Sequence, residues 1–200
     1  MSSSTDIVND ALTRLGALPI LDFDAPDTEN GRTIANAFPI ARDKLLRTYR
    51  WVFAMKRAKL PALIDAPAWG FDRAFELPAD YLALDMIGPD FVGLDMSDYR
   101  NMDASDFAIE GRQILTNRSA PLPIRYKYQV TEPGLFDPCF VELLAIHLAV
   151  TCCEKVTAAT TKKESLRADR KQAVIDAVRA NAIERPPSPI ADDTWIIGRL

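Results

Sequence analysis

The run from Cys139 to Cys153, CFVELLAIHLAVTCC, constrains this chain more than any other, because wound as a helix it is apolar on nearly every side. Asp137 just before it is a good N-cap, and Pro138 suits the first helical position, where no backbone donor is needed. The pattern predicts a helix from Pro138 to about Thr157. Glu142 and His147 interrupt the run, which falls short of the ~20 apolar residues of a membrane span. The expectation is a buried helix of a soluble protein with no membrane partner, covered by other helices or by a neighbouring subunit.

Other segments can supply that cover. A first helix begins near Ser3 or Ser4, where hydroxyls accept free backbone N–H groups. Ile7, Val8, Ala11, Leu12 and Leu15 form its apolar face, and Gly16 ends it. Asp22 and Asp24 cap or turn the loop that follows. A second helix is expected from Asp27 or Thr28 to about Tyr49, with Pro39 kinking or dividing it. Within ARDKLLRTYRWVFAMKRAKL, residues Ala41, Leu45, Tyr49, Val52 and Phe53 recur at helical spacing. Arg42, Arg47 and Arg50 fall mainly on other faces, and Lys56, Arg57 and Lys59 follow the aromatic residues, so the segment reads as a docking element. A last helix is expected from Thr161, whose spacing to Glu164 matches a capping box, through Leu166, Ala173, Val174, Ala177 and Val178 to about Ile183. Pro186, Pro187 and Pro189 stop it. The tail beyond carries Trp195, Ile196 and Ile197, which would be left wet without a landing site.

Between the helices the periodicity changes. LPALIDAPAW reads as a crossing loop, Tyr81 to Ile87 as a short strand, and FAIEGRQIL as a hairpin turning at Glu110 and Gly111. Leu122, Ile124, Tyr126, Tyr128 and Val130 alternate with Pro123, Arg125, Lys127 and Gln129, the period of a strand with one buried face. The expected fold is α+β. A helical bundle forms from N-terminal (1–60) and C-terminal (137–184) helices, with an inserted small antiparallel β-sheet domain (71–130) and an extended C-terminal docking tail (185–200).

At a net charge of -4 the chain lacks the excess of cations that gripping nucleic acid requires. Asp85, Asp90, Asp95, Asp98, Asp103 and Asp106 crowd one segment with Arg100 as the only base. Three cysteines, two of them adjacent, make no disulfide framework and fit a reducing compartment. MSSSTDIVNDAL is not a secretory signal. His147 is the only histidine and sits in an apolar run, so it reads as a core residue. Cys139, His147, Cys152 and Cys153 lack paired spacing for a metal, and no Gly-X-Ser-X-Gly elbow or phosphate-cradling loop occurs. No catalytic residue, metal or cofactor is therefore assigned. Two competing readings remain: a carboxylate pair acting on a cell-wall glycoside, for which the sequence selects no pair, and stacking of single-stranded nucleic acid around Trp51, which needs exposed rings.

The succession DALTRLGALPILDFD, ARDKLLRTYRWVFAMKRAKL, WGFDRAFELPADYL, FAIEGRQILT, IRYKYQVTEPGLFDPCFVELLAIHLA resembles, in order from about Ala11 to Ala149, the tail tubular protein A family. These are the head-to-tail adaptors, or connectors, of short-tailed bacteriophages (podoviruses). Arg50 and Val52 flank Trp51 where members of that family often carry Pro and Asn. The resemblance implies a structural virion protein rather than an enzyme, located at the head–tail junction of the virion and in the host cytoplasm during assembly. It implies a ring of twelve copies, a dodecamer, beneath the portal protein. The helical body and C-terminal arm would meet the portal, and the sheet region would meet a tail nozzle protein like tail tubular protein B. Genomic DNA would pass through the lumen during ejection without specific binding. On this reading Trp195, Ile196, Ile197 and Arg199 dock on the portal, and the acidic segment Asp85 to Asp106 lines the channel, where like charge keeps the duplex sliding. Arg42, Arg47, Arg50, Lys56 and Arg57 contact subunits or portal, and lateral ring interfaces can cover a helix such as Pro138 to Thr157.

Overall fold

The structure, a computed structural model, describes residues 2–88, 107–157 and 159–184. Among them four α-helices and two small antiparallel sheets of three strands each make an α+β fold. The expected tail lies outside the described residues. The chain divides into two compact units, one drawn from Met1–Met55 and Lys127–Arg185, the other built on Lys56–Tyr126.

The helical unit is organised around α3 (Pro138–Thr157), which begins where Asp137 accepts backbone N–H groups from Cys139 at 2.8 Å and Phe140 at 3.3 Å. Every residue from Leu143 to Val150 is buried. The cover comes from this chain's own helices: α1 (Ser4–Leu15), α2 (Glu29–Thr48) and α4 (Thr160–Ile183) all pack on α3. Of the two covers the sequence left open, other helices or a neighbouring subunit, three helices of the same chain pack on the apolar one.

Local chemistry explains each helix. Ser3 and Asp6 close a reciprocal capping box at the start of α1, and Gly16 ends it at φ 75, a left-handed conformation in which a side chain would be strained. Ile7, Val8, Ala11, Leu12 and Leu15 are all buried, as their spacing requires. The loop beyond is pinned by Asn9, whose side chain bonds both backbone groups of Ile20 at 2.8 and 2.9 Å. In that loop Asp22 accepts the amide of Asp24.

Helix α2 starts at its N-cap Thr28 and stays continuous through Pro39, which neither divides nor ends it. Pro39 and Ile40 lie on the exposed side, so water can serve the carbonyl that a proline leaves without a helix donor. Gly31 is required by close approach, because a Cβ there would stand 2.2 Å from Ile20 Cγ2.

The helix expected to run on past Tyr49 does not. It ends at Thr48, Tyr49 is extended, and a short 3-10 turn, Val52–Ala54, leads into β1 (Met55–Leu60). Val52 is exposed rather than on a helical core face, and Lys56, Arg57 and Lys59 sit on a strand. The cause is Trp51. Its fully buried indole donates Nε1–H to the Leu45 carbonyl at 3.0 Å, the same oxygen that accepts the Tyr49 amide at 3.2 Å. Seating the ring beneath the helix end forces the chain to turn back. There Trp51 meets Phe140 edge-on at 5.1 Å, and Phe53 meets Phe140 at 5.2 Å and Phe136 at 6.0 Å.

Helix α4 also departs from expectation at its start. Ala159 is its N-cap and makes no side-chain cap bond, so the capping box from Thr161 to Glu164 does not form. Thr157 organises the turn instead, donating to the Cys153 carbonyl at 2.9 Å and accepting the Ala159 amide at 3.3 Å. The buried stripe of α4 is Leu166, Ala177 and Asn181, whereas Val178, expected in the core, is exposed.

In the other unit, β2 (Arg73–Glu76), β4 (Phe107–Glu110) and β5 (Gln113–Thr116) form one sheet in the order β2-β5-β4. The β4–β5 hairpin turns through Gly111 at φ 58. The second sheet has the order β1-β6-β3, with β3 at Tyr81–Ile87 and β6 at Leu122–Tyr128. Leu122, Ile124 and Tyr126 of β6 are buried and the residues between them half-buried, the alternation read from the sequence. Residues 61–69 make a loop apart from a bridge between Ala62 and Phe75.

Removing the Trp51 ring should be among the costliest single changes. Trp51→Ala is expected to lose about 3–5 kcal/mol in urea unfolding. Trp51→Phe, which keeps an aromatic ring but not the bond to Leu45, should lose about 1–2 kcal/mol.

Candidate interaction surfaces

The five basic residues assigned to contacts occupy different settings. Arg42 is buried, its Nε 2.8 Å from the carboxylate of Asp43, which also accepts from Gln129 at 2.7 Å. The sequence reading assigned Arg42 to a subunit or portal contact; in the structure it pairs with the adjacent Asp43, and the Asp43 carboxylate joins α2 to Gln129. Arg47 and Arg50 are exposed at the end of α2. Their carbonyls serve the fold, that of Arg47 accepting Lys127 Nζ and that of Arg50 accepting Asn181 Nδ2, both at 2.7 Å. Lys56 is 2.6 Å from Asp80, which also accepts the Tyr126 hydroxyl at 3.0 Å. Burial pushes the Asp80 carboxyl up, but the bonds from Lys56 and Tyr126 and the lysine charge outweigh it and hold the group below its usual range. Arg57 is exposed on β1 beside a hollow of about 310 Å³ that Lys59 and Arg125 also line.

Asp85, assigned to an acidic channel surface, is tucked against Arg125 at 2.6 Å with its side chain 9% exposed. The guanidinium of the neighbouring strand β6 thus pairs with this carboxylate. Asp90, Asp95, Asp98, Asp103 and Asp106, and the tail residues Trp195, Ile196, Ile197 and Arg199, lie outside the described residues.

Larger apolar groups do reach solvent. In the helical unit Leu18, Leu21 and Ile40 are 76%, 89% and 73% exposed. In the other unit Ile64 and Trp69 stand out at 101% and 87%, on the loop after β1. A groove of about 450 Å³ beside that loop is lined by Ala62, Leu63 and Ile64 and offers one carboxylate, Asp65, and one amide, Gln113. Among the described residues no group of His, Cys, Asp and Glu is placed to hold a metal ion, and no helix is long and apolar enough to cross a membrane.

Two buried polar side chains in the helical unit carry more than the sequence reading assigned them. His147 is buried on α3, and its Nδ1 lies 3.2 Å from Arg170 Nη1 of α4. Arginine can only donate, so Nδ1 is the acceptor and the ring is neutral. Burial pushes its pKa from 6.5 down to about 4, with repulsion from Arg170 and Lys44 adding to the effect. Asn181, near the end of α4, accepts the Val52 amide at 2.7 Å and donates to the Arg50 carbonyl at 2.7 Å. One amide side chain so pairs with both backbone groups of the turn around Trp51. The sequence carried a signal for it: Asn181 continues the helical stripe of Leu166, Ala173 and Ala177, where an amide needs partners.

Compared with known proteins, the chain matches no family profile and no curated relative.

Asn181→Ala should cost about 2 kcal/mol by leaving the Val52 N–H and the Arg50 carbonyl unpaired. Faster hydrogen exchange at the Val52 amide would show it; an unchanged rate would contradict this account. His147 generates a pH dependence. The unfolded chain takes up the imidazole proton at about 6.5 and the folded one only near 4, so stability is complete above the first value and falls as pH drops toward the second. The loss should be on the order of 2 kcal/mol, and His147→Gln, which can still accept from Arg170, should flatten that part of the stability–pH curve.

Proposed function

We propose that this protein is a structural head-to-tail adaptor of a short-tailed phage virion, forming a ring between the portal and the tail nozzle through which genomic DNA passes. The ordered resemblance from Ala11 to Ala149 supplies the proposal. The observation that carries it in the structure is the set of large apolar side chains left open on both units: Leu18, Leu21 and Ile40 on one, Ile64 and Trp69 on the other. Apolar groups of that size and openness on several surfaces suit a subunit that neighbours bury on assembly. The helical unit supplies the portal-facing body on this reading, with the tail residues Trp195, Ile196, Ile197 and Arg199 as the docking arm. The β unit faces the nozzle. Arg47, Arg50, Lys56 and Arg57 remain for contacts between copies or with the portal. The remaining acidic residues from Asp90 to Asp106 are assigned to the channel, where they repel the DNA backbone rather than bind it.

Negative-stain imaging of the protein mixed with its portal tests the reading. Rings stacked in register on the portal are expected, and portals that stay bare at saturating protein overturn it. Deleting Ile190 to Leu200 should leave the circular dichroism spectrum and urea midpoint unchanged and abolish attachment to portal-bearing heads, because the deleted residues follow the last helix of the core. Normal attachment by the truncated chain would remove the docking role from the tail.

A further inference from the structure

Strand pairing in the β unit gathers cations that the sequence scatters. Arg57 and Lys59 stand two residues apart on β1 and so leave the same face of the strand. Arg125 joins them from β6, the neighbouring strand, and all three line the hollow of about 310 Å³. Ala58, Pro123 and Ile124 add apolar surface beside them, and among the described residues none that lines the hollow is acidic. Asp85 meets Arg125 at 2.6 Å and offsets one charge. Arg118 brings another to the rim, where its Nη1 donates to the Ile87 carbonyl at 3.3 Å. Gly88 permits that approach, since a Cβ there would stand 3.1 Å from Arg118 Nη1.

Concavity separates this cluster from an ordinary charged surface. Several like charges around a hollow with low-dielectric walls focus their field into it, so an anion gains more there than from side chains spread over a flat face. The backbone at the rim does not oppose an anion, because the Pro123 carbonyl accepts the Gly88 amide at 2.8 Å and the Ile87 carbonyl accepts Arg118. Arg125 is already held by Asp85 with its side chain 23% exposed, so little freedom is lost when a ligand arrives. Guanidinium forks beside a lysine ammonium suit an anion with several oxygens. A phosphate monoester carries about -1.5 to -2 charges at pH 7, which answers this excess of positive charge better than a single carboxylate does. The volume lies at the small end of ligand clefts, which run ~300–1,000 Å³. Among the described residues no aromatic ring lines the hollow to stack a base, so recognition falls on the anionic group. We propose that the hollow between β1 and β6 is a binding site for a phosphate group, either free or as the monoester end of a small molecule. The proposal does not rest on the adaptor reading.

The test titrates the full-length, isotope-labelled chain with inorganic phosphate at constant ionic strength and follows the amide resonances of Ala58, Gly88 and Ile124. Saturable shifts at these amides are expected. Arg57→Ala combined with Lys59→Ala should weaken binding about tenfold, the loss of one charge-assisted hydrogen bond. Both side chains are exposed, so the fold should survive, and circular dichroism verifies it. Lys171→Ala on α4, in the other unit, should leave the affinity unchanged. Glycerol phosphate distinguishes the two sources: binding as tight as inorganic phosphate or tighter assigns the site to a monoester, and weaker binding assigns it to the free ion. The proposal is overturned if the shifts fail to saturate, if the paired substitution leaves the affinity unchanged, or if acetate competes as well as phosphate. It is also overturned if a DNA duplex without terminal phosphates displaces inorganic phosphate at matched phosphate concentration, which would give the hollow to a nucleic-acid backbone instead. None of these outcomes involves a portal, so failure here leaves the adaptor reading standing.

Discussion

The helical unit depends on one burial problem: α3 is apolar on nearly every side and must be enclosed. Its solution determines much of what the surrounding chain does. Three helices pack around it, and the remaining gap near its N-terminal end is filled by Trp51, Phe53 and Phe136 against Phe140. An indole in that position brings an N–H that cannot stay unpaired, and the end of α2 supplies the Leu45 carbonyl, which accepts it beside the Tyr49 amide. Filling the core and ending the helix are therefore a single event.

Polar groups near this core act as fasteners between segments distant in sequence. Asn181 holds the Trp51 turn to α4, Asn9 holds the first loop to α1, and the Asp43 carboxylate joins Arg42 to Gln129. His147 belongs to the same class, as a neutral acceptor for Arg170 rather than an acid–base group. Each uses a side chain to satisfy a partner that regular secondary structure leaves open, which orients the elements more narrowly than apolar contact alone.

The functional proposal starts from apolar side chains that the fold leaves outside. Leu18, Leu21, Ile40, Ile64 and Trp69 are too exposed to contribute much to a single chain, and α4 keeps Ile175 and Val178 on its outer side after its inner stripe is satisfied. For an assembly subunit such groups are reserved for later burial.

Periodicity and capping chemistry were sufficient to specify α1, α3, the β4–β5 hairpin and the inward face of β6, because each depends on residues close in sequence. The sequence by itself also determined that α3 would be buried. Only the tertiary structure decided by what: the chain's own three helices, with no neighbour needed. It also decided that α2 stops at Thr48, that Arg42 and Asp85 are committed to internal ion pairs, and that Val178 faces out, against what their spacing suggested. The physical reason is common to all four. Helical spacing ranks faces by hydrophobicity, but which face is buried and which charge is paired depends on groups that spacing does not reveal, such as Phe140 against Trp51 and Arg125 beside Asp85.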